Sequence, residues 1–265
     1  MDVQLSPSVD FEVSREHETV TIRIARASKK NAFTLAMWTE LGRIFSALAA
    51  RSDVRCVILC GSGGSFSAGA DIVEFDAVRA NAQMAESYET EVDRCLAAII
   101  EMPQPTVAAI SGACVGGGFA LAQACDFRVS DRTAYFAVSA AKVGLVYGIP
   151  KCQRLVSLVG LTQAKWILLT GKRFECDELK EIRFLDEIVQ GDVLDGTRKF
   201  ARELERSAPL SSAGMKAVLQ AIALGEVGRR RADLERAIRV ADDSADHREA
   251  VAAFVEKRPP CFRGQ

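Results

Sequence analysis

The sequence predicts an α/β fold built from parallel βαβ units and closed by a helical C-terminal region. Three observations carry this. Short apolar runs rich in β-branched residues end in loops of small residues; segments with helical periodicity follow those loops; and beyond about residue 152 strand-like runs give way to helix.

Residues 19–25 (TVTIRIA) alternate and are β-branched, which predicts a strand. The phrase SKKN at 28–31 breaks the pattern. Thr34 then predicts the N-cap of a helix whose Leu35, Trp38, Leu41, Phe45 and Leu48 recur at helical spacing. Residues 54–60 (VRCVILC) read as a buried strand that runs into the loop GSGGSFSAGAD at 61–71. A polar helix is expected over 76–101, closed by Pro103 and Pro105. A second buried strand, TVAAI at 106–110, leads into a second glycine-rich loop, SGACVGGG at 111–118, and then the apolar helix FALAQAC at 119–125. Residues 127–130 and 134–138 predict further strands. After 152 the helical segments include 161–171, 192–206, 211–226 and 247–259, with no Pro/Gly/Ser-rich linker between them.

Composition narrows the function. The 265 residues carry 34 Lys+Arg against 35 Asp+Glu, a net charge of −1, which argues against nucleic acid or an anionic membrane as the main partner. No apolar stretch approaches the roughly 18 residues of a membrane span. The start shows neither the basic nor the apolar segment of a signal peptide, so a cytoplasmic protein is expected. The eight cysteines form no CxxC pair and most sit in apolar segments, which predicts buried, reduced thiols for most of them. His17 and His247 have no companions at metal-ligand spacing, so neither a metal site nor a Ser-His-Asp triad is expected. Chemistry here must come from carboxylates, backbone dipoles, Lys, Tyr, Cys or Ser.

Each glycine-rich loop follows a buried strand and precedes a helix, where backbone N–H groups of α/β proteins converge on ligands. The dinucleotide spacing fails, however: Phe66 stands where a third glycine would be, and Leu121 occupies the position three after Gly118. No GxxxxGK[ST] phosphate loop is present.

The phrases SFSAGADI at 65–72 and PTVAAISGACVGGGFALAQACDFRVSD at 105–131 are similar to the crotonase (enoyl-CoA hydratase/isomerase) superfamily. The similarity continues through AYFAVSAAKVGLVYG at 134–148, residues 154–174 and EAVAAFVEKRPPCFRG at 249–264. This resemblance implies a spiral of ββα turns over 1–200 and a helical trimerisation region over 201–265. It also implies an acyl-CoA thioester as ligand, no separate cofactor, and a homotrimer or a hexamer made of two trimers. Motif by motif, the family's oxyanion hole falls on the backbone amides of Ala70 and Gly117. Such preorganised donors stabilise the charge that develops on a thioester oxygen. Ala68, Asp71 and Ile72 fall where the family lines the adenine end of CoA, although Asp71 equally suits an N-cap for the next helix. Ser28, Lys29 and Lys30 fall at the CoA phosphates and adenosine. Phe254 and Lys257 match an element that can reach a neighbouring subunit's CoA.

The pattern breaks at the two glutamates with which hydratases of the family handle water. Ala120 and Ala140 occupy those places. Two-Glu hydration is therefore doubtful, and the reading becomes a lyase or isomerase of the family, a decarboxylase or thioesterase of the superfamily, or an acyl-CoA-binding homologue without catalysis. Replacement acid/base groups are sought among Tyr147, Glu91, Glu74, Asp76, Ser139, Lys142 and Cys114, with Tyr147 and Glu91 in the foreground.

Overall fold

The computed structural model describes residues 9–265. Strand β1 (Phe11–Glu16) pairs antiparallel with β2 (Thr19–Ile24), Phe11 opposite Ile24. The sequence reading had missed β1, because its only buried side chain is Phe11 and its outer residues are charged. Thr34 caps α1 (Leu35–Ala49), its hydroxyl accepting from the Met37 amide at 3.3 Å. Trp38, Leu41, Phe45 and Leu48 face the core as expected, while Leu35 is only partly buried.

From β2 onward the main sheet is parallel: β3 (Cys56–Gly61), β4 (Thr106–Ile110), β6 (Phe127–Ser130) and β9 (Glu187–Ile188) add in the order β1-β2-β3-β4-β6-β9. A second sheet holds β5 (Ala113–Val115), β7 (Tyr135–Ala137) and β8 (Phe174–Glu175), in the order β5-β7-β8. Each turn of chain therefore gives one strand to the large sheet, one to the small sheet, and then a helix. Strand β4, strand β5 and α4 (Gly117–Ala124) form one such turn; β6, β7 and α5 (Ile149–Thr170) form the next. Before them, β3 leads to a bridge between Ser67 and Cys114 at the edge of β5, and then to α2 (Ile72–Val78) and α3 (Ala82–Ile100). These are the ββα turns expected from the resemblance. The core lies between the sheets and α1, α3 and α4, with Trp38, Phe66, Phe119 and Phe136 fully buried.

Two expectations are corrected. The helix expected over 76–101 is two helices, α2 and α3, with Asn81 capping the second through its side chain to the Met84 amide. The loop at 111–118 contains β5, three residues long, too short to give a strand signal of its own. The stretch after 152 is mostly helical, as expected, with the two-residue strands β8 and β9 closing the two sheets.

Helix α7 (Val193–Glu205) spans the position 200/201 and packs Leu194 and Ala201 against β3, β4 and β6. Beyond it, α8 (Pro209–Ala223), α9 (Val227–Asp242) and α10 (Ala245–Glu256) leave much apolar surface open. No helix among the described residues is long and apolar enough to cross a membrane.

Candidate active site

The two glycine-rich loops are fastened side by side by main-chain hydrogen bonds. Ser67 N donates to Ala113 O at 2.7 Å, and Val115 N donates to Ser67 O at 3.0 Å. Ser67 is also tied to the SKKN segment, its hydroxyl donating to Asn31 O at 2.8 Å. Two glycines permit this approach. A Cβ on Gly118 would lie 2.4 Å from Ser67 O. Gly69, at φ +96°, leaves room for Val115 O and for Gly117 N, which would lie 2.7 and 3.0 Å from a Cβ there.

This ladder brings Ala70 beside Gly117. The bridge between Phe33 and Ala70 uses Phe33 N to Gly69 O (2.7 Å) and Asp71 N to Phe33 O (2.8 Å), so the Ala70 amide takes no part in it. Gly117 is the first residue of α4, where helix amides have no intrahelical partner. Among the described residues no acceptor meets the N–H of either Ala70 or Gly117. Both line one cavity of about 450 Å³. Unpaired backbone donors facing a cavity, one of them at a helix N-terminus, favour an acceptor that carries negative charge.

Asn31 holds the first loop in shape. Fully buried and at φ +57°, it donates through its side chain to Ser62 O and Ser65 O and accepts from the Arg26 amide. Sequence reasoning saw it only as a break after a strand. An Asn at the end of such a break, tolerant of the left-handed region, was the available signal.

The remaining site residues fall into separate groups. Ala68 N donates to Lys30 O at 2.9 Å, which sets the exposed Ser28, Lys29 and Lys30 beside the 68–72 segment. Asp71 caps α2 through the Val73 amide and pairs with Arg26 at 2.6 Å; the Arg26 hydrogen bond holds its carboxyl below the usual carboxylate range. Ala68 and the exposed Ile72 also line the cavity. Phe254 is 86% exposed and Lys257 terminates α10 at φ +54°; neither lines the cavity of the single subunit.

Ala120, fully buried, and Ala140 both line the cavity, so neither position supplies a carboxylate to it. Of the candidate replacements, Tyr147 and Ser139 line it as well. The Tyr147 hydroxyl is buried with no hydrogen-bond partner among the described residues, and burial pushes its phenol well above the usual value. It therefore stays protonated at neutral pH and can offer a hydrogen bond. Glu91 is placed elsewhere: it turns toward α1, where it accepts from the Thr39 hydroxyl at 3.4 Å and pairs with Arg94. The reason is helix phase, because residues 88 and 92 of α3 face inward and 91 lies off that stripe. Glu74 accepts from the Leu35 amide at 2.7 Å, Lys142 is exposed, and burial pushes the Cys114 thiol well up, so it is inert. The Asp76 side chain lies outside the described residues.

Three charged residues that sequence reasoning passed over, Arg79, Glu89 and Lys151, do line the cavity. Lys151, near the start of α5, is 6% exposed, with its ammonium 2.7 Å from Glu89 Oε2 and 2.8 Å from Asp93 Oδ1. Glu89 also pairs with Arg79. Among the described residues no cluster of three or more His, Cys, Asp or Glu side chains could hold a metal.

The profile of the enoyl-CoA hydratase/isomerase family matches residues 14–265. The chain belongs to that family, within the crotonase superfamily. It is 30% identical over 262 residues to YngF of Bacillus subtilis, covering 98% of this chain and all of the relative. It is also 30% identical over 254 residues to the peroxisomal Delta(3,5)-Delta(2,4)-dienoyl-CoA isomerase of Arabidopsis thaliana, covering 90% of each. Among solved structures, an enoyl-CoA hydratase/carnithine racemase from Magnetospirillum magneticum superposes with a TM-score of 0.87 at 32% identity, over 98% of this chain and 97% of that one. The crotonase architecture and the ββα turns described above thus agree.

Proposed function

We propose that this crotonase-family chain is a cytoplasmic enzyme that acts on an acyl-CoA thioester by proton transfer, as an isomerase or lyase, and not by two-Glu hydration. The observation that carries this is the pair of unpartnered amides, Ala70 and Gly117, on one cavity. A thioester oxygen seated between them takes up charge as an enolate forms, and fixed N–H dipoles stabilise that charge without reorganising. Lys29 and Lys30, tethered beside Ala68, suit the phosphates of the CoA tail. Relatives named as CoA-thioester isomerases support the reaction class. Decarboxylation fits the same site, since departure of CO₂ leaves the enolate without a base; hydrolysis of the thioester would need a positioned water.

Calorimetry with crotonyl-CoA tests the binding half, and turnover of a panel of enoyl-, malonyl- and 3-hydroxyacyl-CoA thioesters tests the chemistry. Binding with turnover of at least one member is expected; no CoA-thioester binding overturns the proposal. The alanines at 120 and 140 favour one second reading, an acyl-CoA-binding protein without catalysis. Tight binding with no turnover across the panel would establish it instead.

We further infer a homotrimer, alone or paired into a hexamer. Met215 and Leu219 of α8 and Ile238 of α9 are 60, 65 and 50% exposed around one shallow groove, an apolar patch of a kind that marks association surfaces. Phe254 and Lys257 would then lie within reach of a neighbour. Light scattering should give three or six times the 28.7 kDa subunit mass, and a monomer would exclude this assembly.

A further inference from the structure

The vacant glutamate positions leave open what moves a proton in this cavity. We propose that Glu89 is the acid/base of the site and that Lys151 is its positioning residue. The proposal rests on the acyl-CoA reading above and deepens it by naming the group that meets the substrate.

Geometry selects Glu89. It lines the cavity that holds the free amides of Ala70 and Gly117, whereas Asp93, one helical turn on, lines a neighbouring chamber. Ala120 and Lys151 line both spaces, so the ammonium stands at the wall where a family glutamate is missing. Lys151 grips Glu89 at 2.7 Å and Asp93 at 2.8 Å from a nearly fully buried position. Asp93 alone would offset the ammonium's charge. Both carboxylates are about one third exposed, and Glu89 is the one on the wall of the cavity that holds the amides. Each carboxylate oxygen has lone pairs beyond the one given to a cation, so ion pairing leaves the group able to accept a proton.

The charges facing Glu89 are Arg79 from the segment after α2, Lys151 from α5 and, across that ammonium, Asp93; Tyr88 and Tyr147 flank the same wall. Burial on its own would raise the Glu89 carboxyl, but Lys151 and Arg79 outweigh it and hold the group below the usual carboxylate range. Glu89 is then ionised at neutral pH and ready to act as a base. A single carboxylate suffices for a 1,3-proton shift. Glu89 takes a proton from the α-carbon of a 3-enoyl thioester; the C–H electron pair becomes the double bond between the α-carbon and the carbonyl carbon of the dienolate, and the carbonyl pair moves onto the oxygen held by the amides. The carbonyl then re-forms, the double bond moves to the 2,3 position, and Glu89 returns its proton to the γ-carbon. Nothing is oxidised or reduced, and no water is consumed.

The test uses the full chain with trans-3-hexenoyl-CoA in D₂O, following deuterium at the α-carbon by NMR and binding by calorimetry. The wild type should bind and exchange. Glu89→Gln should bind as well yet exchange about 10²–10⁴-fold more slowly, Glu89→Asp should keep part of the rate, and Glu86→Gln, an exposed change on the same helix, should behave as wild type. Lys151→Met removes the cation that opposes burial, so the acid limb of the exchange-rate profile should move to higher pH; a purely structural tie between α3 and α5 would lower stability without moving that limb. Exchange that survives in Glu89→Gln, or wild-type binding without exchange, overturns the role of Glu89 and leaves the binding site standing. A wild type that binds no thioester overturns the acyl-CoA reading itself. Should Glu89→Gln fail to fold, Glu89→Asp and the Lys151→Met profile still decide the matter: full activity in the first with an unmoved limb in the second overturns the proposal.

Discussion

Ala70→Pro is expected to slow turnover of an acyl-CoA thioester by about 10²–10³-fold, the usual cost of losing one oxyanion donor. The substitution is unusually clean for a backbone change. The Ala70 amide meets no acceptor among the described residues, and the bridge to Phe33 runs through its neighbours Gly69 and Asp71, so proline removes a donor without breaking a hydrogen bond described for the fold. The preceding residue is a glycine, the type least restricted by a following proline. Binding of the CoA moiety, which rests on other contacts, should change little. Rate and calorimetric affinity measured on the same preparation, with a melting curve as control, separate the two effects. A folded variant with an unchanged rate would show that the thioester oxygen sits elsewhere.

The double substitution Ala120→Glu with Ala140→Glu should work in the opposite direction. Both β-carbons line the cavity, so the new carboxyls would enter the space where family hydratases keep theirs. Each positioned acid–base group contributes about 10²–10⁴-fold, so hydration of crotonyl-CoA, followed by loss of enoyl absorbance, should rise by at least the lower figure. The cost is burial of charge, greatest at the fully buried position 120. Lys151 on the same wall offsets part of it. A folded double variant with no gain would mean that the reacting carbon does not lie between these two positions.

Much of this was legible in the sequence because the signals were local. The strand at 106–110, the Thr34 cap and the first glycine-rich loop each rest on a few neighbouring residues, and these stand as read. What failed depended on contacts distant in sequence. Strand β1 has one buried side chain and exists because β2 pairs with it. Strand β5 is three residues held between Ser67 and β7. The choice of Glu91 over Glu89 shows the limit most sharply. Both lie on one polar helix, and only the inward stripe of Tyr88, Val92 and Leu96 tells which of them turns toward the cavity. Lys151 gave no signal because a lysine after Gly-Ile-Pro reads as surface; its partners are some sixty positions earlier.

The ladder joining Ser67 to Ala113 and Val115 has an evolutionary corollary. The two unpartnered donors are peptide groups, so apart from proline, which removes the N–H itself, no side-chain substitution outside the enabling glycines erases them. The walls made by α2, α3 and the residues around 138–151 are side chains and are free to drift. A lineage built this way can change the side chains of its cavity wall in single steps while this pair of backbone donors persists. A chain with alanine at both 120 and 140 that keeps those donors is what such decoupling allows.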